Sequence, residues 1–262
     1  MEAIAAFRQR LRADQICLGA GITFSDPLVT DALADSVDFF WIDMEHSAMG
    51  TQTVGVHLLA ARARTVPALV RVPGSAAAFI KPVLDVGAEG IIVPQVRSAE
   101  EVMQIVANCR YCPAGRRGYG PRVPSDYGRN GGSAYIQQAN SELFVAVQIE
   151  TIEALNALDD ILAVPGLDSL VIGPWDLSGA LGVLGEVEHP RVIEAVEMII
   201  AKTRAAGLFT GAGMGADPDF ASRMVERGVQ WLQVGSDFGY LVQRMDQLNA
   251  SVGRHHNRLL FC

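Results

Sequence analysis

The chain has 262 residues, half of them hydrophobic and 19% charged, with a formal net charge of −8. That length and apolar fraction suffice for a large buried core and fit a single α/β barrel. The acidic balance excludes a general affinity for nucleic acid or for an anionic membrane surface, so basic residues that matter act locally. The opening segment "MEAIAAFRQRLRADQ" is amphipathic and lacks the apolar centre and small-residue cleavage site of a secretory signal. No apolar run approaches a membrane span in length, and the expected location is cytoplasmic.

Apolar runs then alternate with helix-period runs. Strands are predicted at "ICLGAG" (16–21), "DFFWID" (38–43), "PALVRV" (67–72), "GIIVP" (90–94), "LFVAVQI" (143–149), "SLVIG" (169–173), "LFTGAG" (208–213) and "WLQVG" (231–235). Between them lie amphipathic stretches such as "TQTVGVHLLAARAR", "AAAFIKPVLDVGA", "PRVIEAVEMIIAKTRAAG" and "DPDFASRMVERG". Several of these end in glycine, as helix C-termini prefer. Short, nearly continuous apolar runs indicate parallel strands buried on both faces. Eight of them, each followed by a helix-like segment, predict one (β/α)8 TIM barrel spanning the chain. A doubly wound open sheet is the alternative, but "GAGITF" near the start lacks the full G-x-G-x-x-G of a phosphate turn.

Four cysteines, Cys17, Cys109, Cys112 and Cys262, do not make a disulfide framework in a chain of this length. Cys109 and Cys112 form a C-x-x-C, yet it follows "SAEEVMQIVAN" and so falls at a helix C-terminus. A redox pair normally uses a helix N-terminus to lower the thiol pKa, so these read as ordinary thiols. The long stretch "GRRGYGPRVPSDYGRNGGS" (115–133) has the size of a functional or mobile loop. His57 reads as a helix-face residue, and the adjacent His255 and His256 cannot act as ligands one helical turn apart.

In a barrel, chemistry sits at the C-terminal ends of the strands. Those ends carry Asp43, Glu45 and His46 after the second strand, Arg71 on the third, and Gln148 and Glu150 on the fifth. Asp176 follows the sixth, and Ser236 and Asp237 end the eighth. Gln148 and Glu150 are two apart, so they share one face of their strand. Each residue alone has a bland explanation as a cap, an ion-pair partner or a complement to a helix dipole. Together on one rim, they supply acids, a base and a cation. Two carboxylates suit a hard divalent cation such as Mg2+ or Mn2+, whereas a zinc hydrolase would need more histidines than His46. The amides of Trp175 and Asp176, after Pro174, can point at a small carboxylate.

The segments "WIDMEHSAMG", "LVRVPGSAAAFIKPVLDVGAEGIIVPQVRSAEE", "PAGRRGYGP", "VAVQIETIEAL", "VIGPWDLSGALG" and "WLQVGSDFGYL" resemble, in order, the HpcH/HpaI aldolases. These are class II, metal-dependent pyruvate aldolases of the phosphoenolpyruvate/pyruvate barrel superfamily. The resemblance implies Glu150 and Asp176 as ligands of a divalent cation (Mg2+, Mn2+ or Co2+), with Gln148 beside the bound 2-oxo acid. It implies His46 as base oriented by Asp43, Arg71 at the C2 oxygen, and the Trp175 and Asp176 amides at the carboxylate. It further implies a homohexamer, with Asp85 approaching a neighbouring subunit's substrate site, and a place in aromatic or sugar acid catabolism. Trp175 stands where many members have a small residue, and Met44 where they have glycine.

The implied reaction is reversible cleavage of a 4-hydroxy-2-oxo acid to pyruvate, or hydroxypyruvate, and an aldehyde. A Schiff-base route is disfavoured because Lys81 and Lys202, the chain's only lysines, lie in helix-like runs. Alternatives are a CoA-ester lyase of the same superfamily and a non-catalytic protein binding oxo acid and metal. The arginines of the long loop, Arg116, Arg117, Arg122 and Arg129, are candidates for attracting an acidic aldehyde, with some of them solvated or at a subunit interface.

Overall fold

Eight parallel strands close into a barrel in sequence order in this computed structural model, which describes residues 1–253. His255, His256 and Cys262 lie outside the described residues. The strands are β1 Cys17–Ile22, β2 Phe39–Asp43, β3 Ala68–Arg71, β4 Gly90–Val93, β5 Phe144–Ile149, β6 Ser169–Ile172, β7 Phe209–Met214 and β8 Trp231–Ser236. Every one falls within a residue or two of its predicted run, and closure between β1 and β8 rules out the open doubly wound sheet.

Strand alternation sorts the side chains into two cores. Outward-facing Phe40, Ile42, Val70, Ile91, Val145, Val147, Leu170 and Ile172 pack beneath the helices. Inward-facing Phe39, Trp41, Leu69, Ile92, Phe144, Ala146, Val171 and Trp231 fill the barrel. Large and small residues interlock across neighbouring strands. A Cβ on Gly19 would overlap the Phe39 ring, and one on Gly211 would overlap the Trp231 indole.

The amphipathic opening segment forms α1 (Glu2–Arg12), which buries Ile4, Phe7 and Leu11 against the inner core. Phe7 meets Phe39, Phe144 and Trp231 with ring centroids 5.5, 5.7 and 6.2 Å away, in tilted or edge-on geometry. Arg8 fixes the helix by donating to Asp168 and to the Leu143 carbonyl. This helix therefore stoppers the amino-terminal end of the barrel and leaves the carboxyl-terminal rim for chemistry.

The return helices include α2 (Leu28–Leu33), α3 (Thr51–Ala63), α4 (Ala77–Asp85), α5 (Ala99–Cys109) and α6 (Gly132–Glu142). Then come the short α7 (Ile152–Asn156), α8 (Leu158–Leu162) and α9 (Pro174–Ala180), followed by α10 (Pro190–Ala205), α11 (Pro218–Glu226) and α12 (Asp237–Ser251). No helix among the described residues is long and apolar enough to cross a membrane. Cys109 ends α5 fully buried, and desolvation pushes its thiol up to about 12, which leaves it inert. Cys112 is exposed and unpaired with it.

Phe7→Ala removes the stopper's largest contact and should cost about 3–5 kcal/mol in urea unfolding. A loss below about 1 kcal/mol would contradict the role assigned to α1.

Candidate active site

The inward-facing parity that fills the barrel with apolar side chains turns polar at the rim. On β2 the series Phe39, Trp41, Asp43 ends in a carboxylate, and on β3 Leu69 gives way to Arg71. On β5 the series Phe144, Ala146 continues to Gln148 and then to Glu150 just past the strand. Parallel register sets Asp43 directly beside Arg71. Arg71 Nε and Nη2 donate to the two oxygens of Asp43 at 2.9 and 2.7 Å, a bidentate pair. The remaining nitrogen, Nη1, lies 3.0 Å from Glu45 Oε2 and 3.5 Å from Gln148 Oε1. The guanidinium carbon sits 5.3 Å from the centre of the Trp41 ring, which floors the site.

Gln148 hands the network on, its Nε2 donating to Glu150 Oε2 at 2.9 Å. The other Glu150 oxygen accepts the backbone amide of Gln95 at 2.9 Å. Glu150 is 2% exposed, and its carboxyl is pushed up to about 7, mainly by desolvation and then by repulsion from Asp176 and Glu45. β5 and β6 pair Ile149 with Ile172, so Glu150 comes opposite Gly173 one step later. A Cβ on Gly173 would overlap Glu150 Oε2, and only glycine leaves room for the carboxylate to lie there. Burial likewise raises the Glu45 carboxyl, opposed by Arg71 and His46.

These groups surround a cavity of about 250 Å³. Of the residues named from sequence, His46, Arg71, Gln148, Trp175 and Asp176 line it, with Asp43 and Glu150 bonded to lining residues. One expected relation differs. Asp43 was expected to orient the His46 ring, yet its carboxylate is occupied by Arg71 and by the amides of Glu45 and His46. The His46 ring is instead 64% exposed, with Nε2 3.6 Å from Glu45 Oε2. Asp85 is the last residue of α4, and return helices end beside the strands' amino-terminal ends, opposite the rim. There it pairs with Arg117 at 3.0 Å, so within one chain it does not reach the cavity.

The arginine loop, a candidate for attracting acidic aldehydes or for a subunit interface, is placed at that same lower end. Arg117 shares a recess with Glu89, the residue before β4, while Arg116 bonds Asn108 and Arg129 pairs with Asp126. Asp237, another rim acid, is consumed structurally: it accepts the amides of Thr23 and Phe24 and the Thr23 hydroxyl. Sequence reasoning passed over Gly173, Met214, Gln233 and the Gln95 amide. Parity along β8 could have found Gln233, two residues beyond inward-facing Trp231. Gln95 carries no such signal, since it bonds through its backbone at φ 55°.

Among the described residues no three His, Cys, Asp or Glu side chains cluster as a metal cage. Glu150 and Asp176 offer two hard oxygen donors, enough for a cation that takes its other oxygens from substrate and water. The crowding of Glu150 by two further carboxylates fits a positive guest. Neither lysine lines the cavity; Lys202 pairs with Asp159 on the outside.

Comparison with known proteins identifies the family. The sequence matches the HpcH/HpaI aldolase/citrate lyase family over residues 23–243. It is 36% identical to 4-hydroxy-2-oxo-heptane-1,7-dioate aldolase of Salmonella dublin, over 96% of this chain and 96% of that one. The fold superposes on an HpcH/HpaI aldolase from Desulfitobacterium hafniense DCB-2 with TM-score 0.88 and 31% identity, covering 95% of this chain and 97% of that one. It also resembles the citrate synthase SbnG, with TM-score 0.83 and 32% identity over 94% and 96% of the two chains. The chain belongs to the HpcH/HpaI aldolase/citrate lyase family.

Proposed function

We propose that this protein is a divalent-metal-dependent aldolase that reversibly cleaves 4-hydroxy-2-oxo acids to pyruvate, or hydroxypyruvate, and an aldehyde. The observation that carries this reading is the continuous chain Asp43–Arg71–Gln148–Glu150, which sets a guanidinium beside a buried carboxylate at one edge of the cavity. Glu150 and Asp176 would hold the cation, Mg2+, Mn2+ or Co2+, which supplies a Lewis acid for substrate oxygens when bound.

The chain's own residues do the rest. Arg71, held rigid by Asp43, stabilises negative charge developing on the C2 oxygen as the C3–C4 bond breaks. Gln148 lies against the bound oxo acid, and the Trp175 and Asp176 amides, in the uncapped first turn of α9, receive its carboxylate. His46 takes the proton of the C4 hydroxyl. Its exposed ring and neighbouring Glu45 let that proton pass to solvent. Protonation at C3 completes pyruvate.

Assembly as a homo-oligomer, a hexamer by family resemblance, belongs to the same proposal. Phe238, Leu241, Val242, Met245 and Leu248 stand exposed along α12, which supports burial against another copy. Any substrate role of Asp85 would require such a copy.

Purified protein with Mg2+ or Mn2+ should release pyruvate from a panel of 4-hydroxy-2-oxo acids, and lose more than about 99% of that activity with a chelator or in Glu150→Ala. Undiminished turnover in the variant would sink the metal assignment. Cleavage of acyl-CoA substrates instead would favour the CoA-ester lyase. Thermal stabilisation by pyruvate and metal, with no turnover on any substrate, would favour a binding protein.

Protons and the cation compete for Glu150. Its folded pKa is raised, so its protonated form contributes stability fully present below about 4.5 and lost as pH rises through about 7. Without metal, Tm should fall across that window; the Tm increment from Mn2+ should grow across it, and both trends should flatten in Glu150→Gln. A Mn2+ increment independent of pH would place the cation elsewhere.

A further inference from the structure

We propose that Gln233 reads a hydroxyl on C3 of the nucleophilic oxo acid, so that this site prefers hydroxypyruvate to pyruvate as carbon donor. The inference rests on the aldolase reading and names its donor class.

Position supplies the first argument. The contacts proposed for the oxo acid come from β3, β5 and the start of α9, and His46 follows β2. The remaining wall belongs to β7 and β8, where Gly213, Met214 and Gly215 offer no polar side chain. Among the described residues, Gln233 is the one polar side chain that these two strands bring to the cavity. It is 8% exposed and lies at the level of the floor. A Cβ on Gly213 would sit 3.2 Å from Gln233 Oε1 and 3.4 Å from Cη2 of Trp41, the ring beneath Arg71. With C1 at α9 and C2 at Arg71, the oxo acid can reach this amide only through a substituent on C3. The aldehyde enters over the bound donor, so its chain lies nearer the mouth. Gln233 is buried within the barrel of one chain, and another copy packed over the rim leaves these contacts in place.

Hydrogen-bond capacity supplies the second. The amide leaves no room for a side chain on either neighbouring strand: a Cβ on Gly21 of β1 would come within 2.8 Å of Nε2, as one on Gly213 of β7 would crowd Oε1. Oε1 accepts the Met214 amide at 3.2 Å, and Nε2 donates to the Gly235 carbonyl, so the head group is fixed in direction. These bonds use one lone pair and one hydrogen. The second amide hydrogen reaches only Ser236 Oγ, at 3.5 Å, and Oε1 keeps a second lone pair. A hydroxyl both donates and accepts, so it can take up this spare capacity. The methyl group of pyruvate can do neither, and would set an apolar surface against a buried amide.

The reaction balances without another reactant. In the addition direction C3 of hydroxypyruvate loses a proton and bonds the aldehyde carbon, whose oxygen takes up a proton, giving a 3,4-dihydroxy-2-oxo acid.

The test measures aldol addition of hydroxypyruvate and of pyruvate to propanal with Mn2+, in the wild type and in Gln233→Met, which keeps the side chain's length and removes its amide. The wild type should favour hydroxypyruvate in kcat/KM by at least about tenfold, and Gln233→Met should lower that ratio by about tenfold. Both donors are measured on the same protein, so a general loss of packing in the variant cancels from the ratio. Equal or better use of pyruvate by the wild type would overturn the donor inference while leaving the aldolase reading intact, whether or not the variant folds. A hydroxypyruvate preference unchanged in Gln233→Met would overturn the role of Gln233. Addition of neither donor would count against the aldolase reading as well.

Discussion

A guanidinium taken out of water must find partners for all its nitrogens, and Arg71 finds them on two other strands and the loop between. Asp43 on β2 takes two hydrogen bonds, Glu45 just beyond takes an ion pair, and Gln148 on β5 takes the last, long contact. Removing one partner of such a buried pair typically costs about 3–5 kcal/mol, because the survivor is left charged and unpaired. That penalty ties the rims of β2, β3 and β5 into one geometry. Gln148, held by Arg71 on one side, presents its amide to Glu150 on the other. The position of the proposed metal ligand is thus set by a cation that lies two residues away in the network.

Beneath the rim, the same alternation that defines the site also supports it. Inward positions are aromatic and aliphatic up to Trp41, and polar immediately above it. The indole of Trp41 is at once the top of the packed core and the surface under the Arg71 guanidinium. With α1 closing the lower end, water reaches the polar layer only from above. Low dielectric below and a crowd of carboxylates above raise the Glu150 carboxyl, since both effects favour neutralising its charge, whether by a proton or by a cation.

Strand count, strand limits and the shared face of Gln148 and Glu150 were legible in the sequence, because parity and apolar runs are local properties. The inventory of the rim was legible too, once strand ends were read as a set. Pairing was not. The family resemblance implied that Asp43 serves His46, whereas the parallel register between β2 and β3 brings Asp43 to Arg71. Register is a relation between distant segments that no run of residues encodes. The direction of the return helices explains why the arginine loop, which follows α5, lies at the lower end beside Asp85, though nothing in its composition distinguishes it from rim residues. Gly173 looked like an ordinary strand end, and its reason is the carboxylate of Glu150 occupying the space of its missing side chain.

The central claim is that the Arg71 network stabilises negative charge at C2 of a pyruvate unit. Exchange of the pyruvate methyl protons in D2O with Mg2+, followed by proton NMR, reads that charge without any aldehyde present. The wild type should catalyse the exchange, and Arg71→Lys, which keeps the charge but loses the bidentate pairing, should slow it by about a hundredfold. Exchange at the same rate in Arg71→Lys would contradict the account.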